Sequence, residues 1–297
     1  MPRPRSIAAL IGGSGAAALF YSTVIERNAF VVRHFDVPVL APGSKPLRIL
    51  HVSDLHITPH QRRKLEWIRG LADLAPDLIV NTGDTLSAID GIPAAMGALE
   101  PLFAFPGVFV PGNNDYYAPQ PRNPTRYLNP THGPPKSGVA LPWPQLARAM
   151  SRAGWTDLTH VRTTMAAGGA KIALAGTDDP HLRKARYELI AGTAEPDAAV
   201  RIGVTHSPEP FMLSAFAHDG YDLVLAGHTH GGQVRIPFGP ALVTNCGIER
   251  TRARWLHQWD NGMYFHICAG LGTNPFAPIR FCCRPEASLL TLVPRSN

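Results

Sequence analysis

The chain has 297 residues, 45% hydrophobic and 17% charged, which is enough apolar material for a sizeable core and excludes global disorder. Its formal net charge of +6 suits anionic partners such as phosphate esters or anionic lipid heads. No basic run exceeds Arg62-Arg63-Lys64 and no nucleic-acid motif is present, so no nucleic-acid partner is expected.

Residues 1–6 form a short basic opening, and Ile7 to Val24 is free of charge and rich in Ala, Leu and Gly. Residues 1–24 therefore read as a signal-anchor-like segment, which predicts attachment to the cell membrane. The competing reading is a helix packed on the domain. Arg3 and Arg5 bias that end toward the cytoplasm, but the segment is weak enough to leave the side open. Residues 25–46 read as a connecting segment with a strand from Ala29 to Val37.

From residue 47 to 297 the chain reads as one domain of alternating strands and helices. Strands are expected at Leu47–Val52, Asp77–Val80, Gly107–Val110, Leu158–Thr163, Lys171–Ala175, Val200–Val204 and Asp222–Leu225. Helices are expected at His60–Leu74, Ile92–Phe103, Trp143–Ala153, Leu182–Ala191 and Glu209–His218. The end is richer in strands, at Ala241–Thr244, Met263–Cys268 and Ala287–Val293. This order argues for a layered α/β fold with a second, mixed sheet.

The stretch 116–144 breaks the rhythm. It is rich in proline, which blocks helix and ladder bonding, and carries Arg122, Arg126, His132 and Lys136. A long irregular loop inside a compact domain reads as a lid or as a plain surface loop. The four cysteines include no Cys-x-x-Cys pair, so buried free thiols are expected rather than a zinc ribbon.

Five polar clusters each follow an apolar strand: Asp54-Leu55-His56, Gly83-Asp84, Gly112-Asn113-Asn114-Asp115, His206, and Gly227-His228-Thr229-His230. Ligand sites of α/β sheets lie outside the carboxyl ends of the strands, so all five point to one rim. Singly, each has a structural reading: a helix cap, a turn, a core histidine. Together they supply two carboxylates, one amide and four imidazoles, a donor set that suits Mn, Fe or Zn. That is too many ligands for one open ion. Two divalent ions roughly 3.5–4 Å apart, sharing a carboxylate, account for them. Such a pair attracts phosphate and lowers the pKa of a shared water toward neutrality, supplying hydroxide as nucleophile.

The order Asp-x-His, Gly-Asp, Gly-Asn-x-Asp, His, Gly-His-x-His resembles the calcineurin-like metallophosphoesterase superfamily. The resemblance implies a four-layer α/β/β/α sandwich of two mixed sheets with a dinuclear metal site at the strand ends. It implies that Asp54, His56 and His230 hold the first metal, that Asp84 bridges, and that Asn113, His206 and His228 hold the second. The apolar N-terminal segment, the run Gly-His-Thr-His-Gly-Gly-Gln-Val and the late Ile279-Arg280-Phe281-Cys282-Cys283-Arg284-Pro285-Glu286 resemble the membrane-associated bacterial branch. Some members of that branch act on UDP-2,3-diacylglucosamine or related phospholipids. Arg280 and Arg284 read better as ties between the tail and the sheet than as phosphate binders.

One position departs from the family pattern. Its third motif commonly carries a histidine where this chain has Asn114, and that histidine assists phosphate binding and leaving-group protonation. Asparagine can donate a hydrogen bond but cannot serve as a general acid near neutral pH. His132 in the proline-rich loop is a candidate substitute. The expected activity is hydrolysis of a phosphodiester or pyrophosphate, in a substrate that is a candidate for lipid linkage, with Asn114 stabilising the developing charge. The alternatives are a cytosolic nucleotide phosphodiesterase and a non-catalytic binding module on the same scaffold.

Overall fold

The computed structural model describes residues 15–121 and 138–295. The first sheet has the order β1-β12-β2-β3-β4-β5, built from β1 (Val31–Leu40), β2 (Leu47–Val52), β3 (Leu78–Asn81), β4 (Gly107–Phe109), β5 (Thr156–Asp157) and β12 (Glu286–Pro294). The second has the order β10-β11-β9-β8-β7-β6, from β6 (Val161–Ala167), β7 (Ala170–Gly176), β8 (Val200–Val204), β9 (Leu223–Ala226), β10 (Trp255–Gln258) and β11 (Tyr264–Ile267). Both are mixed. Parallel neighbours run through β2-β3-β4-β5 and β7-β8-β9-β11, with antiparallel partners at β12-β2, β6-β7 and β10-β11.

Side-chain alternation in the central strands explains the layering. Ile49, Leu78, Val80 and Val108 face the second sheet and pack with Ile202, Val204, Leu223 and Leu225. Their neighbours Leu50, Val52, Ile79 and Phe109 face the other way. There they meet the helices α1 (Arg62–Arg69), α2 (Ile92–Leu99) and α3 (Trp143–Arg152) through Ile68, Leu99, Leu146 and Met150. On the far side of the second sheet, Ala175, Val224, Phe265 and Ile267 pack on Met212, Leu213 and Phe216 of α4 (Pro210–His218). The result is the expected α/β/β/α sandwich.

Several expectations need correction. The helix expected at Leu182–Ala191 is a loop with one short 3₁₀ turn, Tyr187–Leu189. The Asp179 carboxylate takes the N–H groups of His181 and Leu182, Arg183 is left-handed at φ 58°, and the Arg186 N–H goes to the His160 ring. The first two are capping bonds that a helix starting here would accept, but the left-handed Arg183 and the Arg186 N–H, which a helix would give to the Leu182 carbonyl, break the ladder. The strand expected at Leu158–Thr163 runs instead from Val161 to Ala167, and turns back into β7 through Gly168-Gly169 at φ 57° and 77°. A two-residue Gly-Gly turn is the hairpin signal that fixes this register. Ala241–Thr244 forms only a single bridge, Arg235 to Ala241, because the Ala241 and Leu242 N–H groups go to Arg250 and Val234.

The segment expected to be a connector supplies the edge strand β1, paired in parallel with β12. Residues 15–28 are helical. Glu26, buried, accepts the N–H groups of Cys282 and Cys283 at 3.0 and 2.5 Å and ties this helix to the tail. Among the described residues no helix is long and apolar enough to cross a membrane. Residues 1–14 of the anchor-like segment, and Arg122, Arg126, His132 and Lys136, lie outside the described residues. All four cysteines are free thiols.

Candidate metal centre

The five clusters do converge. Asp54 and His56 follow β2, Asp84 follows β3, Asn113 and Asn114 follow β4, His206 follows β8, and His228 and His230 follow β9. Both sheets therefore contribute to one rim. Five of these residues sit in left-handed backbone: Asp54 (φ 48°), His56 (44°), Asp84 (53°), His228 (68°) and His230 (50°). Each such residue costs on the order of 1–3 kcal/mol and persists only where the surroundings over-determine it. The two motif glycines at the centre have a steric reason. A Cβ on Gly83 (φ 96°) would strike the Gly112 backbone, and one on Gly227 would strike Ser53 and the Asp54 carboxylate.

Asp84 lies between two groups of donors. Its Oδ2 is 3.5 Å from His56 Nε2, and its Oδ1 is 3.5 Å from His206 Nε2. On the Oδ2 side, ligand atoms of Asp54, His56, Asp84 and His230 all lie within 4.8 Å of one another. His56 Nε2 and His230 Nε2 are 3.1 Å apart, and His230 Nε2 is 3.4 Å from Asp54 Oδ1. On the Oδ1 side, His206 Nε2 and His228 Nδ1 approach to 3.3 Å.

Backbone carbonyls fix the tautomers of three of these rings. His206 donates from Nδ1 to Thr82 O (2.7 Å), His230 from Nδ1 to Gly272 O (3.2 Å), and His228 from Nε2 to Asn245 O (3.3 Å). In the neutral rings the opposite nitrogens then carry bare lone pairs into the site. His206 Nε2 and His228 Nδ1 lie 3.3 Å apart, an arrangement that a shared cation, or a proton on His206, resolves. Two buried oxygens, Asp54 Oδ1 in this group and Asn113 Oδ1 on the loop after β4, have no hydrogen-bond donor. These orphaned acceptors, with oxygen and nitrogen donors and no thiolate, fit divalent metal ions.

Electrostatics agree with a site awaiting cations. Burial pushes His56 and His230 down to about 4, and His228 well below its ordinary value. His206 is the exception. Burial opposes its charge, but the Asp84 carboxylate beside it raises its pKa well above the usual range. Burial would raise Asp84 as well, yet His206 and His56 hold it well below the carboxylate range. A proton on His206 thus occupies a position that a metal ion would take in competition.

Asn114 is placed against this carboxylate. Its backbone N–H donates to Asp84 Oδ1 and its Nδ2 to Asp84 Oδ2, both at 2.6 Å, so one amide hydrogen is committed there. The next residue, Asp115, is fully buried and accepts from Thr85 N, Leu86 N and Gly112 N at 2.8–3.0 Å. It locks the Asp84 loop to the Asn113 loop. Arg280 has the structural part favoured from the sequence. Fully buried, it donates to the carbonyls of Ala269, Gly270 and Gly272, while Arg284 binds those of Ala29 and Phe30.

Sequence reasoning missed a sixth strand-end cluster. Asp178-Asp179-Pro180-His181 follows β7, and the His181 ring lies 4.4 Å from that of His228. The available signal was the same as for the other five: polar, ligand-type residues directly after the apolar run Lys171–Ala175.

The family model for "Calcineurin-like phosphoesterase" matches residues 47–232. Protein YpbG of Bacillus subtilis (strain 168) is 30% identical over 287 residues, covering 95% of this chain and 94% of that protein. The metallophosphoesterase YkuE of the same organism is 27% identical, covering 95% and 90%. Phosphodiesterase YaeI of Escherichia coli (strain K12) is 26% identical over 288 residues, covering 92% of each.

Proposed function

The chain belongs to the calcineurin-like phosphoesterase family, a metal-dependent phosphoester hydrolase with a dinuclear divalent site, and on that premise we propose which residues hold the ions and what kind of ester is cleaved. Asp54, His56, Asp84 and His230 hold one ion, and Asp84, Asn113, His206 and His228 hold the other. The observation that carries this reading is the division of Asp84, one oxygen toward each group of imidazoles. When bound, two such ions supply Lewis acidity and a hydroxide nucleophile at neutral pH.

The chain's own groups do the rest. Thr82 O, Asn245 O and Gly272 O hold three rings with their lone pairs inward, so little reorganisation is needed at the moment of reaction. Asn114 stands over Asp84 as a donor without acid function. A site with that residue favours esters whose leaving groups depart without a strong proton donor. With the name of the Escherichia coli relative, this supports a phosphodiester or a pyrophosphate as the substrate. Replacing Asp84 by Ala should remove both ions and abolish turnover of bis(4-nitrophenyl) phosphate. Two metals per chain with turnover retained would sink the assignment.

The substrate is lipid-linked and met at a membrane surface. An apolar surface gathered around Phe281 supports this reading. Phe20, Val24 and Ile25 of the N-terminal helix are exposed, as are Phe276, Ile236 and Phe238. Phe281 joins these segments: its ring contacts Tyr21 at 6.5 Å and its carbonyl accepts from Arg235 N. Exposed aromatic and aliphatic side chains beside basic residues suit the headgroup boundary of an anionic bilayer. Co-sedimentation with phosphatidylglycerol vesicles should weaken several-fold in the triple variant V24S/F238S/F276S, with bis(4-nitrophenyl) phosphate turnover unchanged. Equal sedimentation of the two proteins would refute it.

A further inference from the structure

In the basic run Arg62-Arg63-Lys64 the two arginines are exposed and the lysine is not. Lys64 is only 6% exposed, although lysine is seldom enclosed without an opposite charge beside it. Among the described residues no carboxylate pairs with it. Its Nζ donates instead to two successive backbone carbonyls, those of Leu55 and of His56, the latter at 2.9 Å. Lys64 reaches them from the first turn of α1, on the face that one turn later sets Ile68 into the core. The carbonyls belong to the loop that carries Asp54 and His56. Around them, Asp54 N, His56 N and Ile57 N donate to Gly83 O, Asp84 O and Thr85 O, all at 2.9 Å, and Ser53 O and Asp54 O accept from Leu271 N and Gly272 N. Among the described residues, Leu55 O and His56 O have no donor other than Lys64.

We propose that Lys64 is a positioning residue for the ion assigned to Asp54, His56, Asp84 and His230, holding the Asp54–His56 loop in the shape that brings two of those ligands together. The peptide planes on either side of His56 carry the two carbonyls, so a single nitrogen bonded to both fixes the His56 backbone directly. In extended backbone successive carbonyls point to opposite sides, and one donor could not collect them. Here His56 is left-handed at φ 44°, as is Asp54 at 48°. Such residues are strained and persist only where their surroundings impose the conformation. Enclosing a lysine without a counter-charge is itself unfavourable, and the two carbonyls of this loop are what it is enclosed for. The role needs N–H donors, which the amino group supplies in either protonation state.

The inference rests on the ligand assignment made above, and the test separates the two. Mn binding to the metal-free full chain is followed by calorimetry and counted by elemental analysis, beside urea denaturation. Lys64→Met keeps an apolar stem and loses the donor. We expect it to bind the first ion about 10–100-fold more weakly and the second as the wild type does, so that one ion per chain remains at a free Mn concentration that just saturates the wild type. Lys64→Gln keeps an N–H donor on a shorter stem and should fall between the two, which leaves the role readable where the Met variant does not fold. Ile68→Ala is the control: it opens a cavity on the same helix face and lowers the urea midpoint, but removes no bond to the ligand loop, and it should keep both ions. The proposal is overturned if Lys64→Met binds two ions with wild-type affinity. It is equally overturned if Ile68→Ala loses the first ion as fully at an equal drop in midpoint, since the loss would then follow from stability alone. Asp54→Ala reads the assignment itself. Full metal uptake there would sink the assignment and this role with it, whereas loss there with full uptake in Lys64→Met would sink the role alone.

Discussion

His230 and Arg280 converge on one acceptor, the carbonyl of Gly272, which takes the His230 Nδ1–H at 3.2 Å and an Arg280 guanidinium N–H at 2.7 Å. The ring and the guanidinium are fifty residues apart in sequence and share no direct bond. The carbonyl links the His230 ring to a cation that also gathers Ala269 O and Gly270 O.

Arg280→Met should leave the buried Ala269 carbonyl without a donor, while the Gly270 and Gly272 carbonyls keep the Glu286 N–H and the His230 Nδ1–H. At about 1–3 kcal/mol for an unsatisfied buried group, the urea midpoint should fall. Occupancy of the Asp54–His56–Asp84–His230 group should fall with it, because the His230 ring loses its brace. Arg280→Lys should restore part of the stability and little of the occupancy, since one ammonium cannot replace both the Nη2 bonds and the Nη1 bonds to the Cys283 and Arg284 carbonyls. Elemental analysis giving two metals per chain in Arg280→Met would contradict this coupling.

Asp115→Ala leaves the N–H groups of Thr85, Leu86 and Gly112 buried and unpaired. A loss of roughly 3 kcal/mol or more in folding free energy is expected. The Asp84 and Asn113 loops should also part, so the affinity for the second ion should drop more than tenfold. Chemical denaturation and metal titration read the two effects separately. An unchanged denaturation midpoint would show that the clamp is dispensable.

The metal-free protein should lose stability as pH falls from 6.5 toward 4. Burial pushes His51 down to about 3, His56 and His230 to about 4, and His228 and His266 well below the ordinary value. Folded, these rings stay neutral in that window, while the unfolded chain protonates them. Their contribution is present above pH 6.5 and lost on acidification. Asp115 and Asp179 act in the opposite sense. Burial raises both to about 7, so the folded state holds protons that the unfolded state releases above about 4. Five histidines outweigh two carboxyls, at about 1.4 kcal/mol per pH unit for each proton of difference. A urea midpoint that rises between pH 6.5 and 4.5 would reverse the sign.

Adding Mn to the metal-free protein should raise its melting temperature in proportion to the logarithm of free metal. At one hundred times the dissociation constant a single site contributes about 2.7 kcal/mol. Asp54→Ala should abolish most of the first ion's share, because Asp54 Oδ1 is an orphaned buried acceptor. A scan showing equal metal-induced shifts in both proteins would remove Asp54 from the ligand set.

The order of the strands and the layered architecture were legible in the sequence because central strands such as Leu47–Val52 and Val200–Val204 are continuous apolar runs ending in polar clusters. That Asp54, His56, Asp84, His206, His228 and His230 come together at one rim was legible for the same reason. What escaped was set by contacts between distant residues. Nothing local in Leu182–Ala191 shows that the Arg186 N–H goes to the distant His160 ring. Nothing in Ala29–Val37 shows that it pairs with Glu286–Pro294. Asp179 and His181 were overlooked although they obey the strand-end pattern, because they match no motif. Gly272 could not be found from sequence at all, since its contribution is a backbone carbonyl.

The place of β12 has a consequence for how the protein comes to exist. This strand lies between β1 and β2, pairing with one in parallel and with the other antiparallel across some 240 residues of chain. During synthesis β1 and β2 emerge early and have no common neighbour until nearly everything else has been translated. Such non-local pairing folds slowly and leaves strand edges uncovered while it waits. The segment that supplies Arg280 and Gly272 arrives in the same late stretch. A ribosome stalled before Gly272 would therefore hold a chain with neither a closed first sheet nor a finished site, and a chaperone would meet open strand edges rather than a partly active enzyme.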